Sequence, residues 1–394
     1  MRRHKVIARA AFLSSASCVF GASYLAVRRP AEAQTPNFVI GLLIGESEES
    51  RFPRYVAGIN AAISESHQPR IATEARLYRS TNEATLKAHE LFDRGADVII
   101  GVAELEAAIN VARIANEQKK PFITFAASLQ LDVRAMAQQP NFVFRFDANL
   151  AMRSDAVAQA ARGALLNHAR LVIVGKSSSA TTEIYETLND VVGSVRQPEI
   201  VLPGPGMDKI PPLQSPNQFP GPPQGGQDNL VVVLGPLDND AISLAQGVHA
   251  KLVLAPTATT GDAIRLPNKT VFGSVWQPKI GPDEAYYLGY TTAKDVLARF
   301  RKFGRRDLRP ADFEDSPIND GKSGSRWRKA DHQAVQEIYA LQSTVKYISS
   351  VSTQVSFELL ARVPADARAE GKACTHCTFE SCGVGHPCTT AKPK

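Results

Sequence analysis

NFVIGLLIGESEESRFPRYVAGINAAISE, running from Asn37 to Glu65, opens with a continuous apolar run that ends in glycine. A strand buried on both faces of a parallel sheet reads this way. The loop after it is acidic, and Tyr55, Ile59, Ala62 and Ile63 then recur at helical spacing. ARLYRS (Ala75–Ser80) predicts a short strand. TNEATLKAHELFDRG (Thr81–Gly95) predicts a helix capped by Thr81 or Asn82 and stopped by Gly95. ADVIIGV, LEAAINVARIANEQ and KKPFITFAAS add a strand, a helix and a fourth strand up to Ser128. Strands alternating with helices make a doubly wound α/β lobe, whose ligands lie at the carboxyl ends of its strands.

The same grammar returns downstream. FVFRFDAN (Phe142–Asn149) leads out of the first lobe, with a hinge expected near Phe144 to Asn149. Helices and strands follow at MRSDAVAQAARGALLNH, ARLVIVGK and ATTEIYETLNDVVGSV, and then at NLVVVLG, NDAISLAQGVH, AKLVLAP and KTVFGSVWQ. DEAYYLGYTTAKDVLARFRKFG predicts a long helix, and HQAVQEIYALQSTVKYISS a strand or two. The expected fold class is therefore α/β, with two doubly wound Rossmann-like lobes and a cleft between them. The first lobe is expected over residues 37–145 and the second over 146–346. Residues 202–228 are too rich in Pro and Gly to pack as helix or sheet interior and read as an exposed insert. Residues 347–394 read as a C-terminal extension.

Of the 394 residues, 44% are hydrophobic and 21% charged, enough for one or two ordinary cores. The formal charge of +6 is partly local, at Arg2, Arg3, Lys5, Arg28 and Arg29 and at Arg301, Lys302, Arg305 and Arg306. No basic stripe interleaved with aromatic residues accompanies it, so nucleic acid is not an expected partner. Residues 1–33 carry a basic start, an apolar stretch and Ala31-Glu32-Ala33 as a cleavage site, which together predict export. An uncleaved anchor is the alternative. No later segment is long and apolar enough to span a bilayer.

The ordered series of elements resembles the type I periplasmic binding proteins, the branched-chain amino acid (Leu/Ile/Val-binding) family of ABC transporter receptors. FVIGLLIG with its following helix, DRGADVIIGVAELEAAINVARIANEQKKPFITFAAS, NFVFRFDAN and SGSRWRKADHQAVQEIYALQ carry the likeness. It implies a periplasmic receptor that passes a small polar solute, such as an amino acid, to an ABC permease in the inner membrane. Neither a cofactor nor enzymatic activity is implied. Two loops depart from the family's pattern. Gly45 to Ser50 is acidic where the family carries a Ser-Gly-Pro type turn, and Ser177 to Thr182 stands where it often places Tyr-Gly.

Backbone N–H groups at strand ends and helix N-termini suit a solute carboxylate, because orphan donors and the helix dipole favour an anion there. The resemblance places Ala126, Ala127 and Ser128 at that task. Ser47 belongs to the first ligand loop. Ala103 and Glu104 end the third strand, where Glu104 would repel a carboxylate and attract a cationic or hydroxylated solute. From the second lobe, Asp238 is the expected ammonium partner and Trp276 an aromatic wall. Ser128 and Asp238 also fit as N-caps, and Trp276 as core.

The tail holds Cys374, Cys377, Cys382 and Cys388 with His376 and His386 interleaved. In an oxidising compartment four cysteines make two disulfides in one of three pairings. A zinc or copper site is the alternative, and with it a redox or metal-binding accessory role on a degenerate fold. No G-x-S-x-G elbow, P-loop or HExxH motif is present, so binding leads over catalysis.

Overall fold

The computed structural model describes residues 38–364, apart from 69, 128–140, 168–169, 176–177, 194–197, 203–229, 236, 238, 248–249, 278–280, 323, 330 and 350–351. Residues 1–33, read from the sequence as an export signal, nearly all of the Pro-rich insert and the cysteine tail lie outside the described residues.

In the first lobe β1 (Phe38–Gly45), β2 (Ile71–Tyr78), β3 (Val98–Gly101), β4 (Phe122–Thr124) and β5 (Val143–Arg145) form a parallel sheet in the order 2-1-3-4-5. Every residue of β1 is buried, as the unbroken apolar run requires. Alternate side chains serve two cores. Phe38, Ile40, Leu42 and Ile44 join one, while Val39 and Leu43 face the other. The second core is filled by α2 (Thr81–Asp93) and α3 (Leu105–Gln118), through Ala84, Ala88, Leu91, Ala108, Val111 and Ala112. Ser80 caps α2 by accepting from the Glu83 amide at 3.2 Å, in place of the Thr81 or Asn82 read from the sequence.

The other face of this sheet carries α1 (Phe52–Ser66) and the 20-residue α7 (Glu284–Phe303). These helices meet backbone to backbone at two glycines. A Cβ on Gly58 would lie 2.7 Å from Tyr290 N, and one on Gly289 would lie 2.5 Å from Tyr55 O. The long helix read as part of the second lobe therefore packs on the first. Phe38 and Phe300 in ring contact at 4.6 Å and Arg306 Nε on Asp97 at 2.8 Å continue that attachment.

In the second lobe β6 (Arg170–Val174), β7 (Glu199–Val201), β8 (Leu230–Leu234), β9 (Leu252–Leu254) and β10 (Val271–Ser274) are parallel neighbours. Helices α4 (Leu150–Asn167), α5 (Ser178–Val192) and α6 (Asn239–Gln246) lie between strands in the chain. β13 (Ile338–Ser349) and β14 (Ser352–Val363) add an antiparallel edge, giving the order 14-13-10-9-8-6-7. This sheet runs through Val363, past the boundary expected at residue 346. The two 12-residue strands pair with each other and so bring residues 352–363 back onto the sheet.

Three chain segments cross between the lobes: one after β5, one after β10 and one through β11 (Arg326–Trp327) and β12 (Ala334–Val335). The first and third are sewn together. Arg145 N donates to His332 O at 3.0 Å, Gln333 Nε2 to Asp147 O at 2.9 Å and Gln336 Nε2 to Phe146 O at 2.6 Å. Beside them Lys322 Nζ donates to Val275 O at 2.6 Å and lies 4.7 Å from the Tyr287 ring and 5.2 Å from that of Tyr339. Among the described residues, no helix is long and apolar enough to cross a membrane.

Candidate functional site

Strand order 2-1-3 sends the chain to opposite sides of β1, so the carboxyl ends of β1 and β3 part and leave a crevice between their loops. The backbone turns sharply there. Gly101 has φ +121°, and Val102, a β-branched residue, sits at φ 56°. That conformation is costly for Val. It is held by Val102 N donating to Leu43 O at 2.8 Å and by Thr124 Oγ1 donating to Val102 O at 2.7 Å. The turn leaves Ala103 exposed and lays Glu104 across the end of β1, where any side chain at Gly45 would overlap its carboxylate.

Glu104 is held from two directions. Ser47 Oγ, in the 3-10 helix Glu46–Arg51, donates to Oε1 at 2.6 Å, and the Tyr78 hydroxyl donates to Oε2. Tyr78 ends β2 level with Gly45, which is why it reaches this point. Burial first, and then the negative Glu104, push the Tyr78 hydroxyl well above its usual range, so it remains a donor. Glu104 is the N-cap of α3 yet makes no side-chain cap bond, its oxygens being turned to Ser47 and Tyr78 instead. A cavity of about 440 Å³ opens here, lined by Glu46, Ser47, Tyr78, Arg79, Ser80, Thr81, Glu104 and Ala107. Its walls all come from the first lobe.

A second polar cluster lies where the lobes meet. Arg51 Nη1 is 2.5 Å from Glu48 Oε2, Tyr55 OH donates to the same oxygen at 3.3 Å, and Arg51 Nη2 lies 3.9 Å from Glu284 Oε2. Burial raises the Glu48 carboxyl against the opposing pull of Arg51. From the second lobe, Arg153 of α4 reaches Asp147 at 2.7 Å, Glu284 Oε1 at 3.1 Å and Gly273 O at 2.6 Å. Ser274 Oγ donates to Glu284 Oε1 at 2.8 Å. The loop after β9 closes over Arg51, so that a Cβ on Gly261 would be 3.0 Å from Arg51 Cδ. Asp262 accepts from Thr259 N and Oγ1, each at 2.8 Å, and shapes that loop.

The structure brings Ser47 and Glu104 together, with Ala103 beside them. Ala126 departs from its expected role. It is fully buried and its amide already donates to Thr124 Oγ1 at 3.0 Å, which leaves no free N–H for a solute carboxylate. Ala127 is half-buried, and its carbonyl accepts from Leu150 N at 2.9 Å. Trp276 is 2% exposed and meets the Phe357 ring edge-on at 5.5 Å, so it belongs to the core of the second lobe and not to an aromatic wall. Ser128, Asp238, Cys374, Cys377, Cys382 and Cys388 lie outside the described residues. Among the described residues no group of three or more His, Cys, Asp or Glu could hold a metal. Tyr78, Arg51 and the 257–262 loop were not singled out from the sequence. For Tyr78 a cue was present, since it ends the strand that must lie beside β1.

No protein-family model and no curated protein matches the chain. Solved structures do. The chain is similar to an amino acid ABC transporter substrate-binding protein from Pseudomonas fluorescens Pf-5, at 14% identity and TM-score 0.64, covering 85% of this chain and 98% of that one. It is similar to a solute-binding protein of an ABC transporter from Rhodopseudomonas palustris BisB5 in complex with 3,4-dihydroxybenzoic acid, at 15% identity and TM-score 0.59, covering 83% and 97%. A leucine-binding protein from Thermotoga maritima matches at 17% identity and TM-score 0.57, covering 83% and 99%. The fold is the bilobed α/β fold of type I periplasmic binding proteins.

Proposed function

We propose that this chain is an exported solute receptor. It closes two α/β lobes on a small polar solute in the periplasm and delivers it to an ABC permease of the inner membrane. The observation that carries the reading is the cavity at the β1/β3 switch point, edged by Ser47 and Glu104. An open α/β sheet takes its ligands at such a point. Three crossings between the lobes supply a hinge, and ligand would shift the balance between open and closed forms. The neighbours support the same class, one being an amino acid transporter's binding protein and another holding a dihydroxybenzoic acid. Residues 1–33 would direct export, and binding, not turnover, would be the activity.

Thermal-shift screening against amino acids, amides, small organic acids and alcohols tests the reading. A ligand at a hundredfold excess over its Kd stabilises by about 3 kcal/mol. A hit should also reduce the radius of gyration in solution scattering as the lobes close. Failure of every class to raise the melting temperature would remove the receptor assignment.

A further inference from the structure

The charges around the cavity do not balance. Glu46 and Arg79 lie 3.1 Å apart and cancel, and Glu48, just outside the lining, is taken up by Arg51 at 2.5 Å. Glu104 differs from both. Its carboxylate is fixed by two neutral hydroxyls, those of Ser47 and Tyr78, and among the described residues no Lys, Arg or His pairs with it. The α3 N-terminus offers about half a positive charge at best. One negative charge is thus held in position at the cavity wall with its hydrogen bonds partly met and, among the described residues, its charge unmet.

Resting on the receptor reading, we propose that the solute is a small organic cation bearing N–H donors, a primary ammonium or a guanidinium, seated on the Glu104 carboxylate. Desolvation drives the selection. A solute filling the cavity strips water from Glu104, and an unpaired carboxylate resists that desolvation. A cation on Glu104 removes the penalty, a neutral polyol leaves it in place, and a carboxylate adds repulsion to it. Ser47 and Tyr78 each direct a hydroxyl at Glu104, so the oxygens are oriented before the solute arrives, and less ordering is lost on binding. Both free rims of the carboxylate then accept N–H donors, the arrangement in which charge-assisted bonds are strongest. Gly45 keeps the Glu104 carboxylate on the end of β1, since a larger residue there would push it off.

The full chain is titrated calorimetrically at pH 7 and low salt with putrescine and agmatine as cations, glucose as a neutral solute, benzoate as an anion and L-leucine as a zwitterion. Putrescine or agmatine is expected to bind, with affinity falling between 20 and 300 mM salt, and Glu104→Gln is expected to weaken it at least tenfold. Tyr78→Phe, which keeps the carboxylate but loosens it, is expected to weaken binding severalfold and guards against a folding defect in the first variant. Equal cation affinity in wild type, E104Q and Y78F overturns the assignment of Glu104. Binding of glucose, benzoate or leucine without binding of either cation overturns the solute class and leaves the receptor reading standing. Binding of none of the five overturns the solute class, and the receptor reading then stands or falls on the wider screen.

Discussion

Arg153 on the second-lobe helix α4 places its guanidinium 3.1 Å from the carboxylate of Glu284, the first residue of α7, which packs on the first lobe. Both side chains are buried, at 2% and 0% exposure. The pair ties a helix of one lobe to a helix of the other at the base of the crossings. Arg153→Met would leave Asp147 buried without its cation and Glu284 with only Arg51, at 3.9 Å. The expected loss is about 3–5 kcal/mol, read as a lower urea midpoint. Glu284→Gln, which keeps an oxygen for Ser274 and removes the charge, should cost less.

The meeting of α1 and α7 has a diagnostic of its own. An alanine in an unhindered helix interior is better than glycine by about 1 kcal/mol. Gly163 in α4 has nothing within 4 Å of an added Cβ, so Gly163→Ala should raise the melting temperature. Gly58→Ala should reverse the sign and cost about 1–3 kcal/mol, because backbone of α7 occupies the space. Thermal denaturation of the two variants side by side reads the difference.

Lys322 gives a pH dependence with a definite sign. Burial holds its amine down to about 8, against 10.5 for the free side chain. Asp320 and Glu337 pull it up, and Arg362 on β14 pushes it down. Above pH 8 the folded chain has released a proton that the unfolded chain keeps, so stability should rise with pH, by roughly 1 kcal/mol per unit at most. The rise is lost as pH falls through 8. Urea melts between pH 8 and 9 stay below the tyrosine range, and Lys322→Met should abolish this component of the slope.

Gly261→Val should pry the lobes apart, since its new methyls would meet Arg51 Cδ. The expected outcome is a larger radius of gyration without solute and a solute affinity weakened severalfold, with the melting temperature of the solute-free protein little changed. Scattering and calorimetry on the same sample measure both.

Local pattern made the first lobe legible. β1 is buried on both faces because NFVIGLLIG offers no polar side, and α1 to α3 begin and end within a few residues of their sequence cues. The placement of α7 was not legible in this way. Its amphipathic stripe says only that one face is covered, and whether the cover is α1 or a neighbour in its own sequence half depends on where the chain crosses. The Gly58 and Gly289 contact is a tertiary fact that only pairing the two helices reveals. β14 was missed because STQVSFELLARV is partly exposed at a sheet edge and lacks the buried run that marked the others. At the site, Glu104 stood out as an acid at the end of β3, where a small residue was expected. Tyr78 did not, since a tyrosine closing a strand usually signals packing. Trp276 reads equally as wall or core, and Phe357, its partner, lies in the stretch read as a C-terminal extension.

The amides of Gln333 and Gln336 lace the returning segment to the carbonyls of Asp147 and Phe146. Two ribbons bonded along their length bend as a laminate, stiff against sliding past one another and compliant only across their common plane. Any opening of the two lobes would meet these bonds first in the sliding direction, so a bend across the plane of the two ribbons is the motion they oppose least.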